Sequence, residues 1–220
     1  MEARQRQHTS LGLKQANHQP TSGFFEDDNA KPLLIGAGII TLGIVTVVVV
    51  RKIRNAGSRL VAAAKKYVGI KETGSNAGWD NAAFQAKMKA VGWWSGAAWC
   101  AFFVKMVVLE IAKGKAKEFF SKKISCNTQI TWDNLQTPSE YHEVLKKPCD
   151  GCIVIYQGKT NKSEGHIEII ETVNKDGSYK VISGNDYIAS GVQGVARKDR
   201  PKTGISKYNI LGYIKIKKLK

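Results

Sequence analysis

Hydrophobic positions change their spacing twice along this chain. From Leu33 to Val50 the sequence reads LLIGAGIITLGIVTVVVV, without a charge. At 1.5 Å of rise per residue, such a helix would cover about 27 Å, close to the hydrocarbon thickness of a bilayer. Lys31 precedes it and Arg51, Lys52 and Arg54 follow it. The pattern predicts a transmembrane helix over 33–50, after a polar, disordered tail over 1–32 and before a linker over 51–57. About thirty polar residues precede the apolar run and no small-residue cleavage site follows it, so it reads as an anchor and not a cleaved leader.

Helical spacing takes over next. Ser58 is placed to cap a helix through RLVAAAKKYVG, with Leu60, Val61, Ala64, Tyr67 and Val68 as its apolar stripe and Gly69 as its stop. Thr73 to Gly78 reads as a turn-rich loop, and Asn81 to Val91 as a second amphipathic helix with Phe84 and Met88 four apart. Trp99 to Ala112 is apolar nearly all round, which predicts a buried central helix. The second half is β-branched. Strands are expected over 152–156, 166–173, 178–182, 191–196 and 208–216, separated by turns such as Lys175-Asp176-Gly177. Helices followed by strands predict an α+β domain over 58–220, with its helices packed on an antiparallel sheet.

Charge narrows the partners. Residues 51–220 hold 30 basic and 14 acidic residues and carry the whole net charge of +16. A domain this basic concentrates near polyanions. No zinc-finger spacing and no RNP-type aromatic motif is present, so sequence-specific nucleic acid binding is not expected. Cys126, Cys149 and Cys152, with His142, offer one conceivable zinc set, but only one C-x-x-C exists. A Cys149–Cys152 disulfide or free thiols are the favoured reading, with no metal and no cofactor. His142, in SEYHEV, reads as structural.

A thiol attacks as its thiolate, which a helix N-terminus and a neighbouring imidazole both favour. Cys100 heads the most apolar helix, which suits a nucleophile. His166, after Glu164-Gly165 and at a strand start, is the candidate base. A third group must orient the imidazole. Asn185 ends the next strand, in VISGND, where antiparallel pairing would bring it beside His166. Ser183 is its competitor on the same face, with a side chain expected to fall short. Asp186 points to the opposite face if the strand continues, while a turn there would swing it inward, and Asp186 or Glu168 on the imidazole would displace Asn185.

These residues carry a family resemblance. VGIKETGSNAGWDNAAFQAKMKAVGWWSGAAWCAFFV resembles the start of CHAP domains, the cysteine- and histidine-dependent amidohydrolase/peptidases of cell-wall lysins, related to NlpC-type papain-like peptidases. Gly69 and Glu72 fit the family's G-x-x-E segment. Trp99, Cys100, Ala101, Phe103 and Val104 fit its W-C-A-x-F-V motif. Pro148, Gly151 and Cys152 to Tyr156 fit its next strand, and Gly165, His166 and Ile167 its G-H-V/I strand. The resemblance covers about residues 58–215 and departs twice. Cys152 replaces the usual Asp, and Ser183 stands where many members have the orienting Glu.

The resemblance implies a papain-like fold and a peptidoglycan hydrolase without cofactor, a cysteine endopeptidase or an N-acetylmuramoyl-L-alanine amidase. Cys100, His166 and Asn185 would be its catalytic residues. By residue type, Trp99, Glu72, Trp79 and Trp94 are candidates to border the substrate, with Trp79, Trp93 and Trp94 equally readable as core or rim packing and Glu72 as a helix-end or surface residue. With the apolar run, the reading is a single-pass membrane protein touching lipid through Leu33 to Val50. It would sit in a bacterial membrane or the internal membrane of a phage virion. The basic C-terminal flank favours a cytoplasmic domain by the positive-inside rule, and an internal virion membrane would reconcile that with a wall substrate. The alternative is a structural virion or membrane protein whose hydrolase-derived domain is inactive or only binds wall.

Overall fold

The computed structural model describes residues 55–220, which pack as one unit. The tail, the apolar run over 33–50 and most of the linker lie outside the described residues. Among the described residues, no helix is long and apolar enough to cross a membrane. This corrects the expectation of a single-pass membrane protein in contact with lipid.

Five helices come first. α1 is Ala56–Lys65, α2 Ala82–Ala90, α3 Cys100–Ile111, α4 Gly114–Lys123 and α5 Thr128–Leu135. Six strands follow: β1 His142–Leu145, β2 Ile153–Gly158, β3 Gly165–Val173, β4 Tyr179–Ala189, β5 Val192–Arg200 and β6 Tyr208–Ile216. The sheet is antiparallel, in the order β1-β6-β2-β3-β4-β5. The α+β expectation therefore holds, with differences in detail. Asn55, not Ser58, caps α1, its side chain accepting from the Ser58 N–H at 2.8 Å. The helix starts earlier than Ser58 because the better-placed acceptor lies three residues upstream. α4, α5 and β1 have no counterpart in the sequence reading. Their apolar positions are sparse, with only Ala116 and Phe120 buried on α4.

Residue parity along the strands divides the core. Ile153, Ile155, Ile167, Ile169 and Ile182 face the helices, where they meet Phe103, Val104 and Val107 of α3. Cys152, Val154, Tyr156, Ile170, Tyr179 and Val181 build a second cluster with Tyr208 and Tyr213. A pleated strand sends successive side chains to opposite faces, so each β-branched run serves both clusters. α3 is buried along most of its length, as its apolar circumference predicts.

One contact fastens the helices to the sheet. Gly151, just before β2, has φ of +72°, and a Cβ there would stand 2.4 Å from the Gly57 Cα of α1. Two backbones touch where neither residue has a side chain. Gly151→Ala is expected to cost about 3 kcal/mol, from the left-handed conformation together with the clash. Urea unfolding monitored by circular dichroism measures it. Gly177→Ala, also at positive φ but with only Lys202 Cβ nearby at 3.6 Å, isolates the conformational part.

Candidate active site

α3 begins at Cys100, and no side chain caps its N-terminus. Trp99 holds the N-cap position and is fully buried. Its indole Nε1 donates to Glu72 Oε2 at 2.7 Å, and Glu72 Oε1 accepts from the Asn76 N–H at 2.6 Å. The G-x-x-E glutamate thus ties the loop before α2 to the start of α3. Its carboxylate serves the frame and does not line the cleft with Cys100, which corrects the substrate-binding expectation for Glu72 and Trp99. Trp79 is 4% exposed and packs against Phe84, Trp93 and Trp99, so it too is core and not a sugar platform. Trp94 differs. It is 59% exposed and stands edge-on to Phe102, beside a groove that shares Cys126 with the cleft at Cys100.

That cleft has a volume of about 560 Å³. Cys100, Cys126, His166, Asn185, Tyr187 and Tyr208 are among its walls. His166 stands near the start of β3 and clusters with two aromatic rings, Tyr156 and Tyr208, each with its centroid 6.3 Å away and 6.2 Å from the other. The preceding Gly165 is required by packing. A Cβ there would meet Thr128 Oγ1 at 2.0 Å and Gln129 Nε2 at 2.4 Å, because α5 begins directly over the strand. The glycine of G-H-I is thus the space into which α5 docks. Gly184 repeats the logic, since its Cβ would lie 2.7 Å from Phe103 Cβ and 2.8 Å from Trp99. Glycine there lets β4 rest on α3.

The imidazole's second partner is not the expected one. His166 Nε2 lies 2.8 Å from Ser183 Oγ and 3.5 Å from Glu168 Oε1. Asn185 makes no hydrogen bond to the ring, and its Oδ1 is buried without a partner. The register explains this correction. β3 and β4 pair regularly at Ile169↔Ile182, and β4 becomes irregular between Ser183 and Asp186. Asn185 sits at that break with φ of +59°, so its side chain leaves the line a continued strand would give it. Ser183, expected to fall short, is close enough to bond.

Glu168 is one of the two carboxylates that would displace Asn185, and alternation places it on the face of His166, two residues on. It is fully buried. Tyr156 Oη donates to its Oε2 at 2.9 Å, and Arg200 reaches its Oε1 through Nη2 at 2.6 Å. Arg200 Nη2 also bonds Asp186, which swings inward at the break in β4. Burial pushes the Glu168 carboxyl up, but the bonds to His166 and Arg200 outweigh it and bring it down to about 2. Burial likewise pushes His166 down, while the neighbouring Cys100 and Glu168 raise it, with a net rise to about 10.

His166, Glu168 and Asp186 place ligand-type atoms within 4.8 Å of one another. Arg200 already bridges the two carboxylates, so the counter-charge a cation would bring is in place. The conceivable zinc set does not form. Cys149 and Cys152 are joined by a disulfide, Cys126 is an exposed free thiol, and His142 is buried between Leu135 O at 2.8 Å and Ser139 Oγ at 2.9 Å.

A thiol at the head of a buried helix, across a cleft from a strand-borne imidazole backed by a carboxylate, defines a Cys–His site. The family model of the CHAP domain matches residues 92–185, a stretch that contains both. Over that stretch the chain is similar to CHAP domains, of the type found in cell-wall hydrolases, a similarity that suggests hydrolysis of peptidoglycan. Comparison with curated proteins and with solved structures gave no match.

Proposed function

We propose that the domain cleaves an amide bond of peptidoglycan by a cysteine-nucleophile mechanism. The observation that carries this reading is the convergence of Cys100 and His166 on one cleft, each buried and each anchored by its own motif. His166 Nε2 is engaged with Ser183, which leaves Nδ1 for the thiol. His166 takes the Cys100 proton, and the thiolate attacks the carbonyl carbon to form a C–S bond. The unpaired N–H groups at the start of α3, that of Cys100 first, lie where the oxyanion develops. The C–N bond breaks as His166 returns the proton to the leaving amine. Water, deprotonated by the same imidazole, then hydrolyses the thioester to a carboxylate and the free thiol.

The cationic surface supports retention on the anionic wall. Asn185 belongs to the substrate in this reading. The residue lines the cleft and its Oδ1 is buried with no protein partner, so a small turn of the side chain toward the cleft would let it accept an N–H from a bound peptide. Asn185→Ala is expected to raise KM by about 10-fold with kcat little changed, corresponding to one lost hydrogen bond. A comparable fall in kcat at constant KM would return Asn185 to the imidazole.

The test is to incubate the full chain with purified sacculi and to follow turbidity while mass spectrometry identifies the soluble fragments. Clearing should be accompanied by new amino groups. Their position separates an amidase, which frees the first stem residue, from an endopeptidase, which cuts within the peptide. Intact sacculi with no new amino group would overturn the proposal.

A further inference from the structure

The sequence departs from its relatives at Ser183, where many have the glutamate that orients the histidine. A serine hydroxyl carries no charge. It can fix the direction of an imidazole, but it does little to stabilise the imidazolium formed when the thiol gives up its proton. Within the described residues, a buried carboxylate stands nearby on the other strand of the pair.

We infer that Glu168 is the positioning residue of His166, the carboxylate having passed from β4 to β3, with Arg200, Asp186 and Tyr156 holding it in place. This rests on the Cys100–His166 reading above. Three observations carry it. Glu168 Oε1 is 3.5 Å from Nε2, and Ser183 Oγ is 2.8 Å from the same atom. The carboxylate is fully buried but not stranded, because Arg200 and Tyr156 bond it from β5 and β2. Arg200 is in turn fixed by Asp186, and Tyr156 by Tyr179 at 3.0 Å. A buried carboxylate without partners would protonate, whereas one bonded in this way stays ionised and can face an imidazolium. The irregular β4 that turns Asn185 away is also what brings Asp186 to Arg200, so one backbone break both removes the expected partner and secures its replacement.

The groups facing His166 come from every element around it. They are Cys100 of α3, Tyr156 of β2, Glu168 on its own strand, Asp186 of β4, Arg200 of β5 and Tyr208 of β6, with Lys207 over the Tyr208 ring. Tyr156 is pushed up by burial and stays neutral in the working range. Glu168 and the Cys100 thiolate are therefore the anions adjacent to the ring. Asp186 is paired with Arg200.

The sign of the effect follows. A group whose value is raised on folding keeps its charge up to the folded value, so His166 stays an imidazolium through neutral pH and loses its proton toward about 10. Removing the Glu168 charge leaves burial opposed by Cys100 alone, and the ring should titrate lower.

Alkylation of Cys100 by iodoacetamide as a function of pH reads the thiolate–imidazolium pair directly and requires no peptidoglycan. Its outcome is therefore separate from that of the sacculus assay. A Cys126→Ala background removes the exposed thiol, and Cys149 and Cys152 are already paired. Glu168→Gln keeps the volume and leaves Arg200 with Asp186. It is expected to slow alkylation at pH 7 by roughly 10-fold or more and to move the profile, while Ser183→Ala changes it only a few-fold because the carboxylate still faces Nε2. A Glu168→Gln profile that superposes on the parent, or a larger effect of Ser183→Ala, overturns the inference. Should Glu168→Gln not fold, the Cys100→Ala chain supplies the answer. Its His166 ring, followed by NMR, is expected to titrate above 6.5 with only Glu168 left as an adjacent anion. Titration at or below 6.5 overturns the inference.

Discussion

Replacing Cys100 with Ala is expected to abolish release of amino groups from sacculi, by roughly 10⁴-fold or more, with the fold intact. Loss of the nucleophile in a hydrolase that works through a covalent intermediate costs about as much as loss of the whole catalytic set. The structural change is small, because one sulfur atom at the wall of an open cleft is removed. Unfolding stability should therefore move by about 1 kcal/mol or less. Cys100→Ser should be nearly as inactive, since a serine hydroxyl needs stronger activation than a thiol. Cys126→Ala should leave the rate unchanged, because no step uses that exposed thiol. Clearing of sacculi by Cys100→Ala at the parental rate would show that another group attacks.

Trp99→Ala is the second large effect, and it acts on the frame. The side chain is fully buried among Trp79, Phe84 and Phe103, and it also holds Glu72. Deleting a buried Trp costs about 3–5 kcal/mol. Leaving one Glu72 oxygen without its donor adds about 1–3 kcal/mol. Against the 5–15 kcal/mol typical of a whole domain, the variant should be largely unfolded at 37 °C. Trp99→Phe keeps most of the ring and loses only the N–H, so it should show the smaller, hydrogen-bond part. Thermal unfolding of the two variants beside the parent provides the comparison. Equal losses for both would mean that the carboxylate, not the ring volume, carries the effect.

Much of this site was legible because its parts are local. The W-C-A-x-F-V run marks the head of α3, since an unbroken apolar helix must be buried and its first residue stands at the helix end. G-H-I marks the start of β3, and its glycine turns out to be the space α5 needs. The third member was not legible. It depends on a break in β4 that begins after Ser183, and the sequence there, SGND, gives no sign of which side chain turns inward. Asn185 in a left-handed conformation is compatible with its residue type but is not specified by it. Glu168 could have been found by strand alternation alone. Its partner Arg200 could not, because β5 runs to Arg200 while the apolar pattern ends near Ala196. The tryptophans stayed open between core and cleft for a related reason. Trp79, Trp93 and Trp99 enclose one another in the core, and only Trp94 remains at the surface.

The strand order has a bearing on how the molecule comes into being. β6, the last strand, pairs with both β1 and β2 and brings Tyr208 against the His166 ring. In the chain it follows every other described element. Before it pairs, β2 presents an open edge of mostly apolar residues, and the pocket around His166 lacks one wall. A chain with β6 unpaired is thus expected to self-associate, and in the proposed hydrolase the cleft is complete only once that strand lies between β1 and β2.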